Sequence, residues 1–498
     1  MNVNPITRLD YPDPDVIRVE DTYYMVSTTM HFMPGCEILQ SFDLVHWEHV
    51  TYVYETLDHT DAQQLKSGQN IYGQGMWAAS LRYHEGRFYI CFVANDTRKT
   101  YLYTSEKIDG PWKKQLIEGF YHDGSLLFDE DGRNYIVYGN DEIWITELNE
   151  DLTAPKKDGL HRLLVSDHKN PELGYEGSHI QKINGYYYIF LVHSLRDRWM
   201  RTEACFYSDS LEGEFTGGDV LCDDRGYCGQ GVAQGGIVDT PDGKWYAMLF
   251  QDSGAVGRIP ILLPVTWKDH FPVFGQNGHV PEEIEVHSTR PGYIYQPLVG
   301  SDDFCNGLLP RWQFNHDPDP QYYHLDALQG TYTITTREVC TELTQAVNTL
   351  TQRMSYPSCA AEVTVDASAL KEGDVAGLCA LQGCYAAVGI TKHHGKYEVL
   401  MLDKKEDGIL DMTEGTVVES HQMDFRLEAD FCNMKDEARC YYRVNKGDWL
   451  PIGTVHKLYF KLDHFTGCRF GLFCYAAEET GGSACFRDFK YYDVDEIS

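Results

Sequence analysis

A short tyrosine-containing phrase recurs five times in the first half of this chain and constrains its fold more than any other feature. Each copy has a turn residue, a variable position, a large residue and a tyrosine, followed by a short apolar run. The copies occupy residues 21–26, 86–91, 132–137, 185–190 and 243–248. Each is preceded by a turn signal, such as Asp131-Gly132, and by another short apolar run. This order of strand, tight turn and aromatic-rich strand is typical of a β-hairpin.

Five hairpins at a spacing of about 50 residues predict an all-β fold, namely a five-bladed β-propeller. In such a fold, four-stranded blades surround a central channel. A β-sandwich whose hairpins resemble one another by chance is the alternative. Helical periodicity is nearly absent from this region, which favours either β architecture, and the regular spacing favours the propeller.

The repeat also predicts which side chains face one another across the channel. The innermost strand of each blade lines the channel, so equivalent positions of the five copies lie at one level. Counting back twelve residues from each repeat tyrosine, or eleven in the first copy, gives Asp13, Trp77, Asp123, Glu176 and Gln234. Clustered carboxylates repel one another and are costly to bury, so their convergence indicates a function.

Carboxylates that face a common cavity are the apparatus of glycoside hydrolysis. One carboxyl donates a proton to the leaving oxygen, and another, ionised, activates water or attacks directly. A third raises the pKa of the donor through its charge, and an aromatic face such as that of Trp77 stacks against a sugar ring. Taken singly, Asp13 and Asp123 are better explained as residues that cap turns. Three carboxylates in one repeat phase favour catalysis.

Several motifs resemble those of a known enzyme family. Residues 11–15 (YPDPD), 41–47 (SFDLVHW), 123–126 (DGSL) and 176–179 (EGSH) are similar to segments of glycoside hydrolase family 43, which comprises β-xylosidases and α-L-arabinofuranosidases. The resemblance implies a five-bladed propeller that hydrolyses with inversion. It implies that Asp13 is the general base, Glu176 the general acid and Asp123 the residue that orients Glu176 and raises its pKa. The repeat phase selects these same three residues.

The resemblance also implies residues that bind substrate. Trp77, followed by Ala, matches the pair that shapes the family's pocket, and Arg258, preceded by Gly, matches an arginine that contacts sugar hydroxyls. Phe32 lies in a segment that corresponds to part of the innermost subsite, although it is less aromatic here. Gln234 is the fourth expected substrate-binding residue, and it stands where many members carry a histidine that in some relatives helps to hold a calcium ion or water. We therefore expect no required cofactor, and a channel calcium ion is disfavoured.

A second domain is predicted after a stretch rich in Pro, Gly and Ser at residues 291–303. Short alternating strands follow it and indicate a β-sandwich. Segments 312–316, 345–353 and 465–471 resemble the concanavalin-A-like C-terminal domain of family 43 xylosidases. The predicted boundaries are residues 1–295 for the propeller and 302–498 for the sandwich.

Charge and cysteine content narrow the classes of partner. The chain has 42 Lys+Arg against 75 Asp+Glu, a net charge of −33, which argues against binding to nucleic acid or to an anionic membrane. Its 15 cysteines form no Cys-x-x-Cys pair, so we expect free thiols and a cytoplasmic protein. No secretory signal is recognised in the first 30 residues, which supports the same expectation.

Together these features predict an exo-acting glycoside hydrolase that releases terminal pentoses from short oligosaccharides with inversion. A β-1,4-xylosidase with α-L-arabinofuranosidase activity is the expected type. The partner is then a xylo- or arabino-oligosaccharide, and a homo-oligomer is compatible with the resemblance. Two other classes stay open: a propeller and sandwich protein that only binds carbohydrate, and a retaining propeller glycosidase of the fructan-cleaving type.

Overall fold

A computed structural model describes residues 2–493 and confirms the predicted all-β architecture. Residue 1 of the first predicted domain and residues 494–498 of the second lie outside the described residues. Besides strands, the described chain has only three single-turn 3₁₀ helices, at Lys66–Gly68, Leu343–Gln345 and Cys432–Met434. None of these helices is long and apolar enough to cross a membrane.

The described N-terminal part, from residue 2 onwards, contains 23 strands. They are β1 (Asn2–Val3), β2 (Asp15–Val19), β3 (Thr22–Val26), β4 (Phe32–Met33), β5 (Gly35–Ser41), β6 (Glu48–Tyr54), β7 (Met76–His84), β8 (Arg87–Ala94), β9 (Lys99–Ser105), β10 (Lys113–Ile117), β11 (Ser125–Phe128), β12 (Asn134–Asn140), β13 (Glu142–Leu148), β14 (His161–Ser166), β15 (Glu176–Ile183), β16 (Tyr186–Ser194), β17 (Arg201–Ser208), β18 (Thr216–Leu221), β19 (Ala233–Asp239), β20 (Trp245–Asp252), β21 (Arg258–Lys268), β22 (Phe271–Phe274) and β23 (Glu283–Ile284).

These strands form five four-stranded antiparallel blades, each of which contains one copy of the repeat phrase. Blade 1 consists of β2, β3, β5 and β6, and blades 2 to 5 take β7–β10, β11–β14, β15–β18 and β19–β22. The repeat tyrosines lie on the second strand of each blade: Tyr24, Tyr89, Tyr135, Tyr188 and Tyr246. Because apolar side chains of neighbouring blades pack into shared clusters, each blade is held by the next one.

The first and last blades are joined by the N-terminal segment. Strand β1 pairs with β23, and the buried Asn4 side chain donates to the Leu262 carbonyl at 2.7 Å and accepts from the Leu262 N–H at 3.1 Å. Arg18 on β2 donates from Nε to Asp239 Oδ1 on β19 at 3.1 Å. These contacts close the ring, so the inner strands form a continuous wall around the channel.

The C-terminal part is a β-sandwich. Its strands are β24 (Gln313–Asn315), β25 (Tyr323–Asp326), β26 (Thr331–Thr335), β27 (Leu350–Arg353), β28 (Ser358–Asp366), β29 (Val375–Leu381), β30 (Tyr385–His393), β31 (Lys396–Lys404), β32 (Leu410–Met412), β33 (Thr416–Val418), β34 (Gln422–Asp430), β35 (Glu437–Val444), β36 (Leu450–Lys457), β37 (Arg469–Tyr475) and β38 (Ser483–Asp493). One sheet has the order β25-β26-β38-β28-β34-β35-β36. The other runs β32-β31-β30-β29-β37-β27-β24-β4, with β33 beside β31.

The second sheet includes a strand from the propeller. Strand β4 pairs antiparallel with β24, with Phe32 opposite Asn315. The Arg469 guanidinium of β37 lies 3.4 Å from the centre of the Phe32 ring, and its Nη1 donates to Gln313 Oε1 at 2.8 Å. A sheet shared between the two parts fixes how the sandwich sits on the propeller.

Three buried histidines meet at this junction. The His31 ring, from the propeller, lies 4.8 Å from the His316 ring and 5.3 Å from the His464 ring, both from the sandwich. Neither nitrogen of His31 has a hydrogen-bond partner among the described residues. Burial lowers the pKa of His316 to about 3 and that of His464 to about 4, and it holds the pKa of His31 well below its ordinary value. The junction therefore accommodates neutral imidazoles only.

We expect this junction to make stability depend on pH. In the unfolded chain the histidines titrate near pH ~6.5, so that state binds more protons below this pH. The free energy of unfolding therefore keeps its full value above pH ~6.5 and decreases as the pH falls towards 4. The melting temperature of His31→Phe should therefore fall less between pH 7 and 4.5 than that of the wild type. The exposed His394→Asn variant should match the wild type; identical slopes for all three proteins would contradict the account.

Candidate active site

The five residues at one repeat phase lie at one mouth of the channel. Asp13 and Asp123 come just before the inner strands β2 and β11, and the other three lie within inner strands β7, β15 and β19. All five line a cavity of about 210 Å³. The lining residues are Asp13, Trp77, His122, Asp123, Leu173, Glu176, Trp199, Arg201, Gln234, Arg258, Leu462 and Phe465. The structure thus brings together the residues that the repeat phase selects.

The backbone at this mouth has the same unusual conformation in every blade. Positive φ angles occur at Asp13 (52°), Ala78 (38°), Asp123 (48°), Gly177 (66°) and Gln234 (63°). Four of these residues carry a β-carbon, for which this region is strained. This level precedes the inner strand in blades 1 and 3 and coincides with a register shift of the inner strand in blades 2, 4 and 5.

Asp13 is fixed by one donor on each of its oxygens. Arg258 Nη1 donates to Oδ1 at 2.7 Å, and Thr28 Oγ1 makes a short hydrogen bond to Oδ2. Thr28 Oγ1 also accepts from the Ala78 N–H at 2.8 Å, which ties the position of Asp13 to blade 2. Both oxygens of the carboxyl group therefore accept hydrogen bonds, which fixes its orientation. Asp13 is only 3% exposed, so it keeps this geometry with little access for bulk water.

Glu176 and Asp123 lie on adjacent blades beside His122. Asn140 Nδ2 donates to Glu176 Oε2 at 2.6 Å, and the Gly177 N–H donates to Asp123 Oδ2 at 3.0 Å. His122 Nε2 lies 3.6 Å from Asp123 Oδ2 and 3.6 Å from Glu176 Oε2. The imidazole therefore stands between the two carboxyl groups.

The pKa values of these groups depend on one another. Burial, together with the charges of Glu176 and Asp13, raises the pKa of Asp123 to about 6. Burial also acts to raise the pKa of Glu176, but His122 and the arginines outweigh it and hold this pKa below its ordinary value. The carboxylates raise the pKa of His122 to about 9 against the opposing effect of burial. The pKa of Glu176 is therefore lowered, whereas the charge of Asp123 alone would raise it. The repeat pattern did not reveal His122, whose positive charge lowers this pKa.

Two buried arginines share one carboxylate behind Asp13. Arg258 Nε donates to Asp252 Oδ1 at 3.2 Å, and Arg201 Nη1 makes a short contact with Asp252 Oδ2. Burial and the neighbouring Arg258 lower the pKa of Arg201 to about 9. Because positive and negative groups alternate here, the buried charges compensate one another.

The sandwich contributes part of the pocket wall. Phe465 and Leu462 come from the segment between β36 and β37 and line the cavity. The Phe465 ring lies 3.7 Å from the Arg258 guanidinium and 5.1 Å from the Trp77 ring in an edge-on arrangement. One side of the propeller mouth is therefore closed by the second domain.

Of the predicted substrate-binding residues, Gln234 lines the cavity and Phe32 does not. Phe32 does not line the cavity: it is 2% exposed and packs under Arg469 at the domain junction, because its segment forms β4 of the sandwich sheet. The expected contact between Phe32 and the substrate is therefore not supported. Gln234 does line the cavity, and its side chain packs against Gly177.

Gln234 does not provide a setting for a calcium ion. Calcium takes six to eight oxygen ligands, commonly carboxylates. Gln234 supplies one amide oxygen, and the neighbouring Glu203 carboxyl accepts the Gln234 N–H at 2.7 Å while burial raises its pKa well above the ordinary value. The residues present therefore do not fit a bound calcium ion.

Several residues that line the pocket were not among those predicted from the sequence. His122 directly precedes Asp123, and Phe465 begins a segment already noted for its resemblance, so both carried a signal. Leu462 lies close to Phe465 but was outside that segment. Arg201 and Trp199 come from the third strand of blade 4 and the loop before it, where the repeat gave no guide.

A propeller pocket that combines three carboxylates, two arginines and aromatic walls defines a carbohydrate-cleaving enzyme. The model of the glycosyl hydrolases family 43 matches residues 3–272, and that of the beta xylosidase C-terminal concanavalin A-like domain matches residues 301–492. The chain belongs to glycosyl hydrolase family 43 and is a glycoside hydrolase.

Relatives support this assignment. A beta-xylosidase of Formosa agariphila is 27% identical, over 99% of this chain and 89% of the relative. A xylosidase/arabinosidase of Butyrivibrio fibrisolvens is 24% identical over 99% of both chains. A solved structure of a bifunctional GH43-CE protein of Bacteroides eggerthii superimposes with a TM-score of 0.92 at 42% identity, over 99% of this chain. This chain spans 64% of the length of that protein.

We expect Gly177→Ala to damage the site. A β-carbon there would lie 2.7 Å from Gln234 Cγ at a φ of +66°, and it would displace the residue next to Glu176. A displacement of ~1 Å can cost about 100-fold in rate, so kcat/KM on a chromogenic glycoside should fall by about 10- to 100-fold. Gly185→Ala is the matched control, since Gly185 has a φ of +84° on the same blade but open space around it. An equal loss in both variants would show that backbone strain alone is responsible.

Proposed function

We propose that this enzyme releases terminal pentoses from short xylo- or arabino-oligosaccharides with inversion of configuration. The observation that carries the proposal is a set of three carboxylates, from blades 1, 3 and 4, around one small cavity that the sandwich closes on one side. β-1,4-Xylosides are the proposed main substrates, and α-L-arabinofuranosides are a second activity. The relatives described as beta-xylosidase and xylosidase/arabinosidase support this choice.

Asp13 is the proposed general base. Arg258 and Thr28 hold both of its oxygens while it faces the cavity, so a water molecule between Asp13 and the sugar can lose a proton to it. In an inverting reaction this water attacks the face of the ring opposite the leaving group. Asp13 on blade 1 and Glu176 on blade 4 approach the cavity from different walls, as inverting and retaining glycosidases both require.

Glu176 is the proposed general acid, and Asp123 positions it. The Asn140 amide orients Glu176, and the Gly177 N–H, next in the chain, anchors to Asp123. An uncharged sugar in the cavity buries Glu176 further, and burial raises the pKa of a carboxyl group. Substrate binding therefore favours the protonated donor that the leaving oxygen needs.

The size and closure of the pocket support action at chain ends. Cavities for larger ligands measure about 300–1,000 Å³, whereas this one has about 210 Å³, which suits one sugar ring better than a chain. Phe465 and Trp77 form apolar walls against which a ring can stack. An internal segment of a polysaccharide would need an open groove on both sides.

We further propose that the enzyme works in the cytoplasm. All 15 cysteines are free, and most of them are buried. Free thiols persist where the environment is reducing. An enzyme in that compartment would act on oligosaccharides small enough to be imported.

We expect Asp13→Asn and Glu176→Gln each to lower kcat on nitrophenyl β-xyloside by about 10²–10⁴-fold, the usual cost of losing a general base or acid. Both variants keep the side-chain shape, so the fold and the melting temperature should be retained. Asp131→Asn, in an exposed hairpin turn of blade 3, is the control and should stay within about twofold of the wild type. A wild-type protein that binds xylobiose without turning it over would instead identify a carbohydrate-binding protein.

Product analysis tests the mode of action. On a β-xyloside, inversion produces α-xylose as the first anomer, which NMR detects before mutarotation. Xylo-oligosaccharides that carry a label at one end only should lose one sugar residue at a time from the other, unlabelled end. β-Xylose as the first product would indicate a retaining enzyme, and cleavage at internal bonds would contradict exo-action. A parallel panel of nitrophenyl β-xyloside, α-arabinofuranoside and β-galactofuranoside ranks the sugars.

A further inference from the structure

One group of potential metal ligands lies inside the pocket. Among the described residues, His122, Asp123 and Glu176 form the one set of three such side chains whose ligand atoms all lie within 4.8 Å of one another. The set combines an imidazole with two carboxylates, so it differs from a purely acidic cluster. The mechanism proposed above uses the two carboxyl groups but assigns no step to His122.

Two of the three distances within the set match those around a small transition-metal ion. Zinc binds imidazole nitrogen at about 2.0–2.1 Å and carboxylate oxygen at about 2.0–2.2 Å. At angles between tetrahedral and trigonal, such bonds place the nitrogen and the oxygen about 3.4–3.6 Å apart. His122 Nε2 lies 3.6 Å from an oxygen of each carboxyl group. One ion can reach all three residues if the two carboxyl oxygens, which lie within 4.8 Å of each other, close to the same spacing.

The imidazole nitrogen has an unmet bonding capacity. His122 Nε2 is buried and has no hydrogen-bond partner among the described residues. A separation of 3.6 Å is too long for a hydrogen bond to either carboxyl group. A buried polar atom without a protein partner is explained by a catalytic role, a bound water molecule or a bound ion. The nitrogen that lacks a partner is the one that faces both carboxyl groups.

The neighbouring groups orient the ligands. The Gly177 N–H donates to Asp123, and the Asn140 amide donates to Glu176, which limits how either carboxyl group can turn. Such outer contacts are a regular feature of metal sites and contribute 10- to 100-fold to affinity. The cavity in front of the three residues leaves room for a further ligand, as zinc requires for four-coordination.

We propose that His122, Asp123 and Glu176 form a binding site for one Zn²⁺ or a similar first-row transition-metal ion, and that the bound ion inhibits the enzyme. An ion there occupies the proposed proton donor and blocks the pocket, so inhibition is competitive with substrate. Calcium and magnesium ions prefer all-oxygen sites with six or more ligands, so they should not bind here. The inhibition rests on the proposed function, whereas binding of the metal does not.

Calorimetric titration with Zn²⁺ tests the site directly. All measurements use a His393→Ala, His394→Ala background, because these two exposed rings lie 4.0 Å apart and could bind zinc themselves. We expect one Zn²⁺ per chain, and at least tenfold weaker binding in both His122→Phe and Glu176→Gln. Ca²⁺ should give no comparable heat. Melting curves show whether each variant is folded, and Asn140→Ala, which keeps all three ligands, should weaken binding by a smaller factor.

The outcomes separate the two parts of the proposal. Unchanged Zn²⁺ affinity in a folded His122→Phe variant would overturn the site, as would equal affinity for Ca²⁺. If the site is present, Zn²⁺ should raise the apparent KM for nitrophenyl β-xyloside without changing kcat, and EDTA should reverse the effect. Metal binding with no effect on hydrolysis would overturn the inhibition alone. Metal binding by a protein that hydrolyses no glycoside would leave the site intact and refute the proposed function.

Discussion

The carboxylate of Asp10 is the interaction on which both domains and the active site depend. It accepts the Arg258 N–H on Oδ1 and the Gly467 N–H on Oδ2, each at 2.7 Å. One bond fixes the start of a strand in blade 5, and the other fixes the sandwich segment that carries Phe465. Burial raises the pKa of Asp10 to about 6, against the lowering effect of these two N–H groups. Glycine is required at Gly257 and Gly467, because a β-carbon would lie 2.1 Å from Asp10 Oδ1 or 2.0 Å from the Val256 carbonyl.

Arg258 connects the contact between the two domains to the active site. Its backbone is bound to Asp10 and its guanidinium to Asp13, so one residue links the domain junction to the proposed base. The guanidinium also lies 4.6 Å from the Phe250 ring of the propeller and 3.7 Å from the Phe465 ring of the sandwich. The second domain thus contributes a pocket wall and also limits the movement of the group that holds Asp13. Catalysis by a positioned base requires such a limit.

The sequence could predict what the repeat periodicity encodes. The tyrosine phrase determined the number of blades, and its phase selected five residues that the structure brings to one cavity. Periodicity carries no information about contacts between unlike parts of the chain. It therefore could not show that β4 joins the sandwich sheet, which removes Phe32 from the pocket. Arg201 was not predicted for the same reason, because it lies on the third strand of its blade and not on the innermost one.

The direction in which the pKa of Glu176 shifts is another property that the sequence pattern could not predict. Three carboxylates in sequence phase suggest mutual repulsion and a raised pKa for the donor. The fold adds His122 and two arginines at short range, and their combined effect reverses the direction for Glu176. A cluster of buried carboxylates is stable only when cations accompany it, so the groups that make the pocket possible also set its protonation state. The same arrangement places His122 Nε2 3.6 Å from an oxygen of each of two carboxyl groups. The proposed metal site rests on this arrangement, because groups proposed to exchange a proton also offer ligands to a metal ion that would compete with the proton.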